Sequence, residues 1–476
     1  MKTIRAANLA AFIIFSAFTA YAADYRIELR QRTWELKPGL STTVWSYGET
    51  VPGTPITANV GDRVNIEIVN SLAEATNVHW HGLVVPNEQD GTFIKINSGE
   101  AHTYEFTVTQ AGTYWYHPHF RPVLPQLDRG LYGAFIVKAP EDARYSGDHT
   151  YVLDDWYLDA RGRRIEAIPS TDMERIGNID TVNGKTESAI EPLVLKNGEL
   201  HKVRFINAST AVTHTLKITG HRFRVTHTDG NPLGEAYETD TLVLAPAERI
   251  DAEIFARGKA GDKFEINDPT RDYGLSIPIR YAEGSVPAVA SPFVPPPSRA
   301  LPGAETMKPD YVLEFASVMG MMGGMMSGDA MGMTDGGSMG GMHAMHGSGS
   351  TTGGMMEGGM MGGAYRWTIN GKAFPETAPL DVQVGKVVKL RLYNKDNTAM
   401  MGHRMDHPIH LHGAYFQIIS ENGKPPARET WKDTIAVSEG KYVDVAFVMT
   451  YPGEWMLHCH IIDHEDGGMM TVVRAH

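Results

Sequence analysis

HCHIIDHEDGGMM, residues 458–470, holds the only cysteine of the 476-residue chain, Cys459, between two histidines. A lone thiol has no intramolecular disulfide partner, and left free outside the cytoplasm it is open to oxidation. It therefore has a partner on another chain, an unreactive burial or a metal. Side chains alternate between faces of an extended strand, so Cys459 points away from His458 and His460 and serves a different place.

The stretch ends a longer unit. PGEWMLHCH (452–460) parallels AGTYWYHPH (111–119) and AGDKFEIND (260–268). Upstream of each lies an alternating strand followed by a second: RVNIEIVNS then NVHWHGL, KVRFINAS then HTLKITGH, and KLRLYN then HPIHLHG. In RVNIEIVN, Val64, Ile66 and Ile68 share one face. Val388, Leu390 and Leu392 do the same, as do Val443, Val445, Phe447 and Met449. Alternation of period two between Gly, Pro, Asn and Asp turns predicts an all-β chain of β-sandwiches. A repeat this long marks three homologous domains rather than a solenoid. The expected boundaries are 23–139, 140–290 and 291–476, with a proline-rich linker, VPAVASPFVPPPSRALPG, at 286–303. Histidines stand five and seven residues after Gly112 and Gly453. After Gly261 the same offsets hold Ile266 and Asp268, so the middle domain lacks the site.

The first 22 residues read as a cleaved secretory signal: Lys2 and Arg5, an apolar run too short to span a bilayer, then Ala20-Tyr21-Ala22. The formal charge of −13 becomes −15 once Lys2 and Arg5 are removed. That sign argues against nucleic acid and is compatible with cationic substrates. The expectation is an exported chain without a membrane anchor, acting as a monomer.

Residues 319–363 contain fourteen methionines and seventeen glycines, with no Val, Ile, Leu or Phe. So much glycine is costly to order, so an exposed insert in the third domain is expected. Met sulfur selects soft Cu(I), and clustered methionine is an oxidation liability in a plain linker.

The remaining histidines explain the cysteine. Ten of the twenty sort into His79/His81, His117/His119, His407/His410/His412 and His458/His460, with His464 beyond. Residues two apart on a strand are about 6.6 Å apart on one face, too wide for one ion. That suits neighbouring metals roughly 3.5–4 Å apart. Four H-x-H pairs give eight imidazoles for a multinuclear site between the first and third domains. Cys459, His407, His464 and Met469 form a second set; two histidines, a cysteine and a weak axial methionine is the donor set of blue copper. Zinc closes at four ligands and has no redox chemistry, so it leaves most of this set unexplained. The backbone from Cys459 to its flanking histidines then joins the two sites.

These motifs resemble those of three-domain multicopper oxidases over essentially the whole mature chain. The resemblance implies three cupredoxin-like Greek-key sandwiches and four copper ions. It puts type 2 copper on His79 and His410, and one type 3 copper on His81, His117 and His460. The other type 3 copper falls to His119, His412 and His458, and type 1 to His407, Cys459, His464 and Met469. It also implicates Asp90 and Glu465 in proton delivery. Within the family the chain is most similar to periplasmic copper-efflux oxidases, which carry methionine-rich inserts and oxidise Cu(I) with O2. Met405 stands where relatives place a substrate-copper thioether, with Met400 and Met401 nearby, although His403 replaces an expected aspartate. The rival readings are a laccase-type oxidase of phenols or other metal ions, with an open cleft beside His464, and copper sequestration by the methionine tract.

Overall fold

The computed structural model describes residues 22–166, 174–319, 365–397 and 405–476. Residues 1–21 of the expected signal, the insert from 320 onward, and Met400, Met401 and His403 lie outside them. The regular structure of the described chain is almost wholly strand, in six sheets that face one another as three sandwiches.

In the first sandwich the outer sheet orders Leu40–Tyr47, Ala22–Lys37, Arg63–Asn70 and Ala101–Thr107. The inner one orders Ile56–Asn59, Gly133–Lys138, Gly112–His117 and His79–His81. The second spans Gly147–Trp156 to Ser276–Ser285, and the third Tyr311–Met319 to Met470–Ala475, each as a six-stranded sheet on a five-stranded one. In each, the strand that opens the sandwich runs parallel to its neighbour across the sheet: Ala22–Lys37 with Arg63–Asn70, Gly147–Trp156 with Leu200–Asn207, and Tyr311–Met319 with Val387–Asn394. Crossovers of this kind carry the chain between the two faces of a sandwich.

The alternation read from sequence is the burial observed. Val64, Ile66 and Ile68 are fully enclosed in the first core; Leu390, Leu392, Val445 and Phe447 fill the third. Removing such side chains from water at about 25 cal/mol per Å² is the main force holding each sandwich together. Register then sets the site. His79 lies directly across from His117 on neighbouring strands, and His410 across from His458. Residues opposite one another share a face, so each outer sandwich presents two of the four pairs together. Helix is nearly absent; the two short turns, Leu124–Leu127 and Ile462–Asp466, pack against each other across the first and third sandwiches.

Candidate metal centre

Eight histidines converge where the first and third sandwiches meet, all essentially excluded from solvent. His119, His412 and His458 bring their Nε2 atoms together, with His458 Nε2 3.1 Å from that of His412 and 3.3 Å from that of His119. His81 Nδ1 lies 3.4 Å from His117 Nε2, and the His460 ring stands 5.1 and 5.2 Å from those two rings. His79 stacks on His412 and His81 on His410 at 3.8 and 3.7 Å, and His79 and His410 close the cluster at 5.8 Å.

Most of the rings are aimed by what their other nitrogen holds, and that partner sets the tautomer. His117 and His458 donate from Nδ1 to Pro118 O (2.9 Å) and Cys459 O (3.0 Å). His410 donates from Nδ1 to Asp433 O at 2.9 Å, and His79 from Nδ1 to Asp90 O at 3.2 Å. In all four Nε2 turns inward. His81 is reversed: its Nε2 faces Asp433 Oδ1 and Thr434 Oγ1, both at 3.3 Å, leaving Nδ1 inward. The inward nitrogens of His79 and His410, and both nitrogens of His460, are buried with no protein partner. An unpaired buried polar atom costs about 1–3 kcal/mol, so this many lone pairs turned on one another fit metal ions as their missing partners. Burial also drives six of the imidazoles to their neutral, ligating form: His119 is pushed down to about 3 and His410 to about 4, while His81, His117, His412 and His460 fall well below their ordinary range; His458 goes the other way, its burial outweighed by Glu465.

A second cluster lies on the other face of the strand Gly453–Cys459. Cys459 Sγ is 3.5 Å from His464 Nδ1 and 3.7 Å from His407 Nδ1, and the two nitrogens are 3.2 Å apart. Met469 is packed in the same core, with its carbonyl accepting from Cys459 N at 3.0 Å. The three explanations for the lone cysteine thus narrow: it is free and buried, and it faces two imidazole nitrogens. Burial pushes its thiol well up, so a metal taken there must displace a proton.

Both sequence-nominated carboxylates stand against the eight-histidine cluster. Asp90 lies 3.1 Å from His412 Nδ1 and 3.3 Å from His79 Nδ1. Burial alone would raise its carboxyl, but the two imidazoles hold it well down. Gly91 makes this approach possible: at φ +91°, its added Cβ would sit 1.7 Å from Val78 O. Glu465 is 3.2 Å from His458 Nδ1 and 3.4 Å from His119 Nε2; against its burial, those rings hold it down to about 2. Met405 is packed into the third core at 3% exposure, its backbone tied to Glu439 and Asn394.

Sequence reading missed several neighbours. His407 Nε2 meets Asp396 at 2.8 Å, and Asp396 also accepts from Ser317. His464 has no exposed side-chain surface. Trp367 stacks on it at 3.5 Å, and Glu174, from the second sandwich, lies 3.2 Å from its outer Nε2. The laccase reading expected an open cleft beside His464; the described residues there leave none of its side chain exposed. Asp433 carried no motif. In the second sandwich, His214 occupies the place of His407 in the repeat, but is held between Ser209 Oγ (3.1 Å) and Asp268 Oδ2 (3.3 Å).

Comparison with known proteins agrees with this geometry. Three multicopper oxidase family models match residues 28–142, 147–272 and 349–476. The chain is 31% identical to the multicopper oxidase MmcO of Mycobacterium tuberculosis, over 90% of this chain and 82% of that one. It is 24% identical to copper resistance protein A of Escherichia coli, over 89% and 88%. Among solved structures, the Campylobacter jejuni multicopper oxidase, described as a metallo-oxidase, superimposes with a TM-score of 0.73 at 26% identity, covering 95% of this chain and 91% of that one. With two buried histidine-rich clusters on three cupredoxin-like sandwiches, the chain belongs to the multicopper oxidases, a copper-binding family of oxidoreductases.

Proposed function

We propose that this multicopper oxidase oxidises Cu(I) and passes the electrons to O2, serving copper tolerance in the periplasm as a monomer exported by its leader. His79 and His410 would hold a type 2 copper; His81, His117 and His460, and His119, His412 and His458, would hold the type 3 pair. His407, Cys459, His464 and Met469 would hold type 1. Four coppers so bound would supply one-electron acceptance at the cysteine and four-electron reduction of O2 to two waters at the cluster.

The residues do the rest. The backbone from Cys459 to His458 and His460 is the short path between the two clusters. Asp90 accepts from His412 Nδ1 and orients that ring, and Asp90 and Glu465, each against two cluster imidazoles, stand where protons consumed in making water would be delivered. At the electron entry, Trp367 shields the His464 ring, and the Glu174 carboxylate, 19% exposed, meets its outer nitrogen. That arrangement is the observation that carries the substrate assignment: a carboxylate at the edge of a covered ring receives a cation, whereas a phenol needs an apolar slot against the ring. The names of the Escherichia coli and Campylobacter jejuni relatives point the same way, and the methionine tract offers thioethers for the soft ion.

The test is oxygen uptake by copper-loaded protein with Cu(I) and a simple phenol as separate reductants, with and without residues 319–363. Fast Cu(I) turnover that falls on deletion, with phenol turnover unchanged or raised, supports the reading. Phenol turnover that exceeds Cu(I) turnover in the intact chain would make it a laccase-type enzyme. Copper resistance that survives His81→Ala with the tract intact would favour sequestration.

A further inference from the structure

The second sandwich supplies none of the residues assigned to copper, yet it reaches the cluster through one side chain. Arg249 opens the strand Arg249–Phe255 and is wholly buried. Its guanidinium touches all three sandwiches. Nε donates to Thr113 O (3.1 Å) on the strand that carries His117, and Nη1 to Ala247 O (3.1 Å) in its own sandwich. Nη1 and Nη2 grip Asp433 in the third, at 2.7 and 2.6 Å. A bidentate arginine–carboxylate pair fixes angle as well as distance.

Like Asp90 and Glu465, Asp433 faces a histidine from each outer sandwich: Oδ1 is 3.3 Å from His81 Nε2 and 3.5 Å from His410 Nδ1. It is also why His81 is reversed. Asp229, again from the second sandwich, holds the backbone on either side: its Oδ2 accepts from Asp433 N and Thr434 N, and it pairs with Lys432 Nζ at 3.0 Å. The glycine after HWH belongs to the same device. At Gly82, φ +86°, an added Cβ would lie 2.3 Å from Arg249 Nη2 and 2.6 Å from Asp433 Oδ2, so no side chain fits between the histidine strand and the ion pair.

We propose that Arg249 is a positioning residue for the trinuclear site. By clamping Asp433, it sets the ring orientation and inward nitrogen of His81 and His410, so the ligand-free domain determines how the type 2 and type 3 coppers are held. This rests on the assignment of copper to the eight-histidine cluster. The type 1 set does not touch Asp433, so it serves as an internal reference.

The test compares copper-loaded full-length wild type, Arg249→Lys and Asp433→Asn by copper content, type 2 electron paramagnetic resonance and blue absorbance. Arg204→Gln is the control, because Arg204 is equally buried in an ionic cluster, with Asp148, Asp142 and Asp251, and though it also donates to Thr113 Oγ1 it touches neither Asp433 nor a histidine of the site. Both test variants should lose trinuclear copper about 10–100-fold more readily, or show an altered type 2 signal, with blue absorbance intact. Arg204→Gln should leave the type 2 signal unchanged. Asp433→Asn preserves side-chain volume and decides the matter where Arg249→Lys yields no folded protein. An unchanged type 2 signal and copper content in the variants, or parallel loss of blue absorbance, would overturn the proposal. A wild type that binds no copper at the eight histidines would instead sink the underlying assignment.

Discussion

Asp90→Asn is the most informative single change, because it separates holding copper from delivering protons. The substitution keeps the shape and removes the charge. Asp90 Oδ2 accepts from His412 Nδ1 at 3.1 Å and from Thr92 Oγ1, while its Oδ1 lies 3.3 Å from His79 Nδ1, whose hydrogen goes to Asp90 O. An asparagine retains one acceptor oxygen and turns an NH2 toward a ring nitrogen that already carries hydrogen, so one charge-assisted hydrogen bond is lost, about 1.5–3 kcal/mol. That corresponds to copper held roughly 10–100-fold more weakly at the cluster, the usual cost of losing a partner behind a ligand. If Asp90 also passes protons, fully loaded enzyme should turn over about 10²–10⁴-fold more slowly. The two effects separate experimentally. Copper affinity is read by competition with a chelator, and turnover by oxygen uptake at saturating copper and reductant. Loaded Asp90→Asn turning over within about threefold of wild type would refute the proton role. Unchanged copper affinity would also refute the orienting role drawn from the hydrogen bonds.

Further expectations follow from other parts of the molecule. Cys459→Ser should remove the intense visible band of type 1 copper while leaving copper at the eight histidines, measured by absorbance and metal analysis together. Glu174→Gln should lower kcat/KM for Cu(I) about tenfold through lost electrostatic attraction, with phenol turnover changed less than twofold; equal losses for both reductants would contradict a cation-receiving role. Trp367→Ala uncovers the His464 ring and should raise phenol turnover, while the cavity lowers thermal stability by about 3–5 kcal/mol. His227 gives the metal-free protein a pH dependence. Burial, then the Lys202 and Arg204 charges, push it down to about 3, so the unfolded chain takes up its proton first. Its stabilising contribution is complete above about pH 6.5 and is lost as pH falls toward 3, at most about 2 kcal/mol by pH 5. Denaturant titrations of metal-free His227→Gln at pH 7 and 5 should therefore show a smaller loss than wild type.

Much of this protein was legible along the chain because its signals are local. Strand alternation is a property of neighbours, and Val64, Ile66 and Ile68 are buried as their spacing required. H-x-H places two rings on one face whatever the rest of the fold does, and Cys459 between two histidines separates two sites by the pleat alone. Asp90 and Glu465 were nominated through the family resemblance of their motifs, and the structure sets each of them beside two of the eight histidines. What tertiary structure decided lies in pairs that no local window contains. Arg249 meets Asp433 across 184 residues, Glu174 meets His464 from another sandwich, and Trp367 covers the ring it stacks upon. Side-chain period determines which face a residue occupies, but not which residue of another domain faces it. That second choice is made by how the three sandwiches pack, and with it which nitrogen of His81 points inward, and whether His464 is open or shielded.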